Sequence, residues 1–515
     1  MDDTKNRQGW VVPIMVALIG GFMSILDSSI VNVAISTMMH VFNSTTSQIE
    51  WVVTVYMLAL GVVIPFSGWA GEKFGYKQLY IAALIIFTIG SFLCTVSWSV
   101  NTLIAARVVQ ALGGGMLMPA MMTMVKKIVP EGNFGTAMGI VGVALLIAPA
   151  LGPTIGGYLV EYVGWRWIFT INIPIGIIGI ILCIFFLPHF DRKETDRLDV
   201  GGAITSAIML FSLLLALSKG SEWGWTSEPI VMLLYLSCVC FILFLFIELT
   251  TSNPLLELRM FKHRNFAMAN ITSLITTIGL FSGVFFVPLF LQNIKGMGAL
   301  ETGLIMLPGA LISGLLMPIS GKLYDSFGPK PLAIFGIISL AATTYLLHGI
   351  DINTSTGTVI FWMMLRGVGM AFAAVSAQAA SLDAATTEEV GRASAISNIV
   401  QRVAGSLGIA ALTTILTNRV SFHMAMISDH ISTSSFGAAS LMQKFSHYLG
   451  GGMAASAQAR AVGLSSLKGL IQETAYIKGI DDIFMVASVL TIFGLIPALF
   501  LKKKSHGSRE VVTFD

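Results

Sequence analysis

Apolar residues in this chain form one long run after another, separated by short segments that hold most of the charged residues. The runs are about 20 residues long, which is the length a helix needs to cross a hydrocarbon core of about 30 Å. Inside lipid the backbone must satisfy its own hydrogen bonds, which favours helices over loops or open strands. The pattern therefore predicts about fourteen membrane-spanning helices, near residues 10–35, 49–70, 78–98, 101–124, 136–160, 167–187, 199–218, 229–250, 266–291, 302–321, 331–349, 358–380, 392–416 and 481–501.

The composition agrees with a surface that faces lipid. Hydrophobic residues make up 55% of the 515 residues and charged residues only 11%, against about 25% charged in an average soluble protein. So few charges cannot cover a water-exposed surface of this size. No basic tract with interleaved aromatic residues of the kind that binds nucleic acid is present in the sequence. The lipid bilayer is therefore the predicted partner, and nucleic acid is not.

Lys and Arg residues are concentrated in alternate connecting segments. Short cytoplasmic loops retain positive charge, so this distribution orients the chain. It predicts a multi-pass protein of the cell's inner membrane with both termini in the cytoplasm. Residues 417–480 are too polar to span, and we expect them to form one or two short amphipathic helices on the outer surface.

The two ends of the chain resemble each other. Residues 68–77 and 321–330 both read Gly, three residues, an acid, two residues, Gly, one residue, Lys, and Arg107 and Arg366 each lie two spans later. Parallel repeats of this kind place a substrate site between the two halves, near the midplane. The predicted domains are an N-terminal six-helix bundle (10–187), two extra helices with cytoplasmic loops (188–265), and a C-terminal six-helix bundle (266–502) that includes segment 417–480.

Four motifs lie in order on the expected spans and together resemble one family. Residues 68–77 resemble the cytoplasmic signature loop of the major facilitator superfamily, with Glu72 and Tyr76 replacing the usual Asp and Arg. Residues 26–34 and 107–113 resemble first-span and fourth-span motifs of its fourteen-span exporters. The fifth-span motif associated with antiport is matched at Pro149, Gly152, Pro153, Gly156 and Gly157. Over essentially its whole length the chain resembles the fourteen-span drug:proton antiporters of that superfamily.

The resemblance implies an all-α major-facilitator fold of two six-helix bundles plus two extra helices, working by alternating access. It also implies a cytoplasmic gate, in which Glu72 pairs with the start of span 13 and Asp325 with the start of span 5. The alternative for these acids is a helix-ending turn with solvated charges. The implied gate residues are Gly68, Glu72, Lys73, Gly75, Asp325 and Arg392.

A charge inside a lipid-spanning helix is costly and suggests a function. Asp27 lies about 10 Å and Arg107 about 9 Å below the same membrane face, at 1.5 Å per residue. We therefore expect them to face each other, or to share a network with Gln110 and Asn32. One interpretation is a static ion pair that joins helices 1 and 4. The other is a proton site, because burial favours a neutral carboxyl group and a nearby arginine favours its charged form.

Methionine and aromatic side chains form adaptable apolar surfaces that suit varied ligands. The sequence does not single out the cavity-lining members. The candidates for substrate binding are Tyr56, Met118, Phe285, Phe286, Phe372 and Gln378.

The leading hypothesis is export of small amphipathic or cationic organic compounds, with the proton as coupling ion and no other cofactor, metal or catalytic residue. No Gly-rich loop followed by Lys and Ser or Thr is present in the sequence, so ATP drive is not expected. One alternative is a dedicated exporter or importer of a single metabolite, lipid or antibiotic, since a fold does not fix a substrate. Another is a membrane sensor or intramembrane enzyme, for which the sequence lacks an output domain or a cluster of catalytic residues. We expect a monomer, and the sequence leaves open whether an envelope adaptor protein assists it.

Overall fold

The computed structural model describes residues 9–130, 132–190, 192, 198–430 and 457–503, which are almost entirely helical. Within these residues, 14 helices are long and apolar enough to span a membrane, which confirms the predicted number. The first seven are α1 (Val11–Phe42), α2 (Thr46–Val63), α3 (Tyr76–Thr95), α4 (Val100–Ile128), α5 (Phe134–Tyr158), α6 (Asn172–Phe186) and α7 (Val200–Trp223). The other seven are α8 (Glu228–Thr250), α9 (Arg264–Asn293), α10 (Ala299–Phe327), α11 (Pro329–Leu346), α12 (Thr356–Asp383), α13 (Val390–His430) and α14 (Ala457–Ile492).

Short helical segments extend several of these helices. Phe66–Phe74 continues α2 beyond Pro65, a π-helical turn at Leu159–Val163 continues α5, and Trp167–Thr170 precedes α6. A 3-10 turn at Leu258–Lys262 precedes α9, and Leu495–Leu499 follows α14.

Two equivalent glycine turns show the repeat in the backbone. Gly75 has φ +89° and joins the segment Phe66–Phe74 to α3, and Gly328 has φ +81° and joins α10 to α11. Residues with a Cβ rarely adopt such angles. Each glycine N–H donates to the carbonyl four residues earlier, at 3.0 Å and 2.8 Å. The repeated motif therefore makes the same sharp turn in each half.

The first bundle (α1–α6) and the second bundle (α9–α14) pack mostly within themselves. They meet chiefly along α5 and α10, with further contact between α4 and α13. The extra pair is α7 and α8, and α7 packs against both α2 and α13. We call the end of the molecule that holds Lys73, Lys126 and Lys322 the basic face, and the other end the opposite face. The basic face is the one predicted to be cytoplasmic.

The bundles contact each other most closely at the basic face. A Cβ added to Gly139 of α5 would lie 2.7 Å from the Pro318 Cα of α10, so the two backbones are in direct contact there. Towards the opposite face, a Cβ on Gly303 would lie 3.6 Å from the Thr154 Oγ1, an ordinary contact distance. The structure is therefore closed at the basic face.

The prediction of separate short helices in segment 417–480 is wrong for the residues described. Residues 417–430 continue α13, and residues 457–480 form the first part of α14; residues 431–456 lie outside the described residues. Asp482 of α14 accepts from the Arg419 Nε at 2.5 Å and lies 2.7 Å from the His423 Nε2. The polar residues that make the segment unlike a span thus join α13 to α14, which lets both helices continue.

Candidate functional site

Asp27 of α1 and Arg107 of α4 form an ion pair in the interior of the first bundle. The Arg107 Nη1 donates to the Asp27 Oδ2, and neither side chain is exposed (0% each). A capping box between Ser99 and Thr102 begins α4 and fixes the depth of Arg107, two turns below. The structure therefore brings together the two charges that the sequence places at equal depth.

Neutral polar side chains complete the coordination of the Asp27 carboxylate. The Gln110 Nε2 donates to the Asp27 Oδ1 at 2.8 Å and also lies 2.8 Å from the Ser91 Oγ. The Asn172 Nδ2 of α6 donates to the same Asp27 oxygen at 3.0 Å. The Gln110 Oε1 accepts from the Arg107 Nη1 at 2.6 Å. Both carboxylate oxygens of Asp27 thus accept hydrogen bonds from side chains of neighbouring helices.

Arg107 has further partners that do not depend on Asp27. Its guanidinium carbon lies 3.7 Å from the centroid of the Tyr56 ring, which is within cation–π distance. Its Nε donates to the Val52 carbonyl at 3.2 Å. If Asp27 became neutral, the ring, this carbonyl and Gln110 would still stabilise the arginine. The geometry therefore allows Asp27 to lose its charge without leaving Arg107 unpaired.

The prediction that Asn32 joins this network is wrong. Asn32 is exposed, and its Nδ2 donates to the Ser28 carbonyl of its own helix at 3.4 Å. Five residues of helix turn a side chain by about 140°, so Asn32 points away from Asp27. Sequence reasoning missed Asn172 and Ser91 instead. Their signal was a small polar residue inside a largely apolar run.

Asp325 lies where the resemblance implies, at the start of α5. Its Oδ1 accepts from the Gly135 N–H at 2.7 Å, and its Oδ2 accepts from the Thr136 N–H at 2.9 Å and the Thr136 Oγ1 at 2.8 Å. The first amides of a helix lack partners within the helix and attract negative charge. Asp325 thus joins the second bundle to the first at the basic face.

Glu72 makes the equivalent but weaker connection to α13. The Arg392 Nη2 donates to the Glu72 Oε2 at 3.2 Å, and the Glu72 side chain is 5% exposed. A Cβ on Gly68 would lie 3.4 Å from the Arg392 backbone nitrogen.

Lys73 does not join this contact, because it is exposed and its Nζ lies 4.8 Å from the Trp69 ring centroid. Gly75 serves the turn described above.

Two glycines of the fifth-span motif allow α5 to approach α1 next to Asp27. A Cβ on Gly152 would lie 2.8 Å from the Ser29 Cβ and 3.2 Å from the Ile30 nitrogen, and one on Gly156 would lie 3.1 Å from the Ile30 carbonyl oxygen. Pro149 and Pro153 lie inside the same helix. A Cβ on Gly157 would meet nothing within 4 Å, so Gly157 takes no part in this contact.

Arg366 is the repeat counterpart of Arg107, but it has a different environment. It is fully buried and donates to the Thr344 Oγ1, to the Gly279 carbonyl, and to the Leu280 carbonyl at 3.3 Å. No carboxylate forms an ion pair with it among the described residues. Among the described residues, the buried arginine–carboxylate pair is therefore found in the first bundle and not at the equivalent position of the second.

The predicted substrate residues divide into two groups. Tyr56 is fully buried against Arg107, and Phe286 is fully buried in the packing of the second bundle, so neither is free to line a cavity in this conformation. Sequence alone does not show which face of a helix is covered in a given conformation, and substrate binding by these two residues stays a prediction. Those that keep partial exposure are Met118, Phe285, Phe372 and Gln378.

Comparison with known proteins identifies this arrangement. Residues 17–409 match the sequence profile of the Major Facilitator Superfamily. The chain belongs to that superfamily. It is 33% identical to the uncharacterized MFS-type transporter YhcA of Bacillus subtilis over 97% of this chain and 94% of the relative. It is 31% identical to the multidrug export protein EmrB of Escherichia coli, over 84% of this chain and 85% of that protein.

A solved structure of this superfamily has the same fold. The proton:xylose symporter XylE aligns with a TM-score of 0.59 and 14% identity over 97% of each chain. At this identity the likeness concerns the fold alone. With its fourteen spans and its drug-exporting relative, the chain is a multi-pass membrane transporter of the fourteen-span drug-transporter type, and the resemblance read from its motifs is confirmed.

The glycine contact beside Asp27 gives this transporter a first testable property. We expect Gly152→Val to lower the melting temperature in detergent and to reduce transport at least tenfold, because the added methyl groups force α5 away from α1. Gly157→Val adds the same side chain five residues later, where nothing lies within 4 Å, and we expect near-normal transport. Equal losses in the two variants would contradict this packing role.

Proposed function

We propose that this transporter exports small amphipathic organic compounds in exchange for protons, and that Asp27 carries the proton. The observation that carries the proposal is a fully buried carboxylate, paired with an arginine, inside a membrane-spanning helix. Breaking a buried pair by moving one partner costs about 3–5 kcal/mol. Protonation of Asp27 removes that cost, so each movement of α1 relative to α4 is coupled to the gain or loss of a proton.

In this proposal alternating access uses two of the connections at the basic face. Asp325 and Glu72 keep that face closed while Asp27 is charged and paired. Protonation from the opposite side weakens the attraction between α1 and α4, and α5, which packs against both α1 and α10, transmits the change to the closed face. The proton then leaves on the side where the bundles separate.

We further propose that the basic face is cytoplasmic, that the protein lies in the cell's inner membrane with both termini inside, and that it works as a monomer. The concentration of Lys and Arg in the loops of that face supports the orientation. The name of its relative EmrB favours several exported compounds over one dedicated metabolite.

The proposal is tested with purified protein in liposomes under an imposed pH gradient. Three probes are offered, namely a cationic dye, a neutral drug and an organic acid. We expect at least one to accumulate against its own gradient, with counterflow of protons that stops when an ionophore removes the pH gradient. Movement of every probe at the same rate with and without the gradient would refute proton coupling.

A further inference from the structure

Arg402 of α13 is an intramembrane cation with no acidic partner. Its Nη1 donates to the Met57 Sδ at 3.4 Å, across the interface between the bundles. No carboxylate oxygen of the described residues lies within 4.0 Å of it, unlike Arg107 and Arg392, which pair with Asp27 and Glu72. It is also partly exposed, whereas Arg366, which also lacks an acid, is fully enclosed. Arg402 is thus a partly exposed positive charge that contacts the other bundle.

The position of Arg402 is where a substrate is expected to bind. It lies 12 residues after the first residue of α13, which is about 18 Å along the helix and near the middle of the membrane. Met57 follows Tyr56, whose ring covers the Arg107 guanidinium. Beside Arg402, the Gln401 Nε2 donates to the Gln378 Oε1 at 2.9 Å. Arg402 thus contacts the residue that follows Tyr56 in α2, and its neighbour in the sequence, Gln401, belongs to an amide pair of the second bundle.

A thioether sulfur is a weak acceptor, and a guanidinium offers five N–H donors in a planar fork. Holding such a cation in a low-dielectric interior is unfavourable unless something supplies negative charge. A carboxylate does so with two parallel hydrogen bonds, and a cationic ligand is repelled. Partly buried Met57, which contacts Arg402, offers an adaptable surface for an apolar body attached to that carboxylate.

We propose that Arg402 is the anchor of an anion-binding subsite, so that the transporter selects organic acids with a carboxylate on an apolar body. This rests on the proposed export function and narrows the substrate class, in place of the cationic compounds that the sequence suggests. Because Arg402 contacts Met57, the residue after Tyr56, the proposed subsite and the Asp27–Arg107 pair share α2 as a wall.

The test uses three fluorescent probes built on one aromatic scaffold, namely a carboxylic acid, its methyl ester and the corresponding amine. Binding of each to the purified full-length protein in lipid nanodiscs is measured for the wild type, Arg402→Gln, Arg402→Lys and the control Arg166→Gln. Arg166 lies outside the bundle interface, where its Nη2 donates to the Ser97 carbonyl at 3.1 Å.

We expect Arg402→Gln to weaken binding of the acid about 10- to 100-fold, since charge-assisted hydrogen bonds are lost, and to change binding of the ester less than about twofold. Arg402→Lys keeps the charge but not the fork, so its loss is smaller. The control should bind all three probes as the wild type does. The subsite is refuted if the wild type binds acid and ester equally, or if Arg402→Gln weakens all three probes alike.

Gradient-driven export of the same probes separates this inference from the proposed function. If the wild-type protein exports no probe although binding of the acid depends on Arg402, the anion-binding subsite is supported and proton-driven export is refuted. If the wild type exports both the ester and the acid, and Arg402→Gln exports the acid at the wild-type rate, proton-driven export is supported and the subsite is refuted.

Discussion

Asp27→Asn is expected to abolish proton-driven efflux while the protein still folds and inserts. Asparagine has nearly the same shape and keeps an acceptor for Arg107, but it cannot take up or release the proton. Arg107 keeps the Val52 carbonyl, the Tyr56 ring and Gln110 as partners, so the loss of the negative charge does not leave it unsolvated. Uptake of a substrate into proteoliposomes under an imposed pH gradient measures the effect, which we expect to exceed 100-fold.

Two controls separate loss of coupling from loss of structure. Asn32→Ala changes an exposed polar residue on the same helix, and we expect transport within about twofold of wild type, in line with the small effects usual for surface substitutions. Exchange of labelled for unlabelled substrate without a pH gradient should persist in Asp27→Asn. Undiminished proton-coupled transport in that variant would exclude Asp27 as the carrier and leave the pair as a structural connection between α1 and α4.

Asp325→Ala is expected to open the basic face. The substitution removes three hydrogen bonds to the start of α5, two of them from backbone amides. Bonds to a charged group contribute about 1.5–3 kcal/mol each, so even one of them shifts the balance between closed and open states about tenfold or more. Glu72→Ala is the matched substitution in the other repeat. It removes one longer bond, at 3.2 Å, and we expect a smaller shift.

Reaction of a cysteine at position 394 with a maleimide reports this opening. Ser394 is fully buried, and its Oγ donates to the Pro119 carbonyl of α4 at 3.0 Å, across the closed interface. The exposed native Cys238 is first replaced by Ser. In detergent, Ser394→Cys should react slowly in the parent, faster with Glu72→Ala and fastest with Asp325→Ala. Equal rates in all three would show that these acids do not hold the face closed.

Much of the fold follows from the sequence because lipid leaves few alternatives. Runs of about 20 apolar residues are obliged to become helices, so the number of spans was predictable. The equal depth of Asp27 and Arg107 is predicted by counting residues from the expected ends of two helices, although α1 continues to Phe42, seven residues beyond its predicted end. Burial of both charges made their pairing the favourable outcome, and the structure has it.

Other features depend on rotation and partners, which a single sequence does not show. Asn32 faces away from Asp27 because of its angular position, and Asn172 enters the site because α6 packs against α1. The polar residues at the end of α13 predict that the span stops before them. Asp482, which pairs with Arg419 there, lies far away in the sequence, so the pairing is not visible from the sequence. From sequence alone, such polar residues are interpreted as surface residues, because the residues that they contact are not known.

The length of α13 has a mechanical consequence. It is one uninterrupted helix of 41 residues, so it is about 60 Å long, twice the thickness of a bilayer core. Arg392 lies near one end and pairs with Glu72. Arg419 and His423 lie towards the other end and contact Asp482 of α14. A rigid rod of this length acts as a lever, so that a tilt of about 10° displaces its far tip by about 10 Å. When the bundles separate on one side of the membrane, the tip of α13 therefore moves on the other side. A label, an antibody or a neighbouring protein bound to that tip can detect the movement.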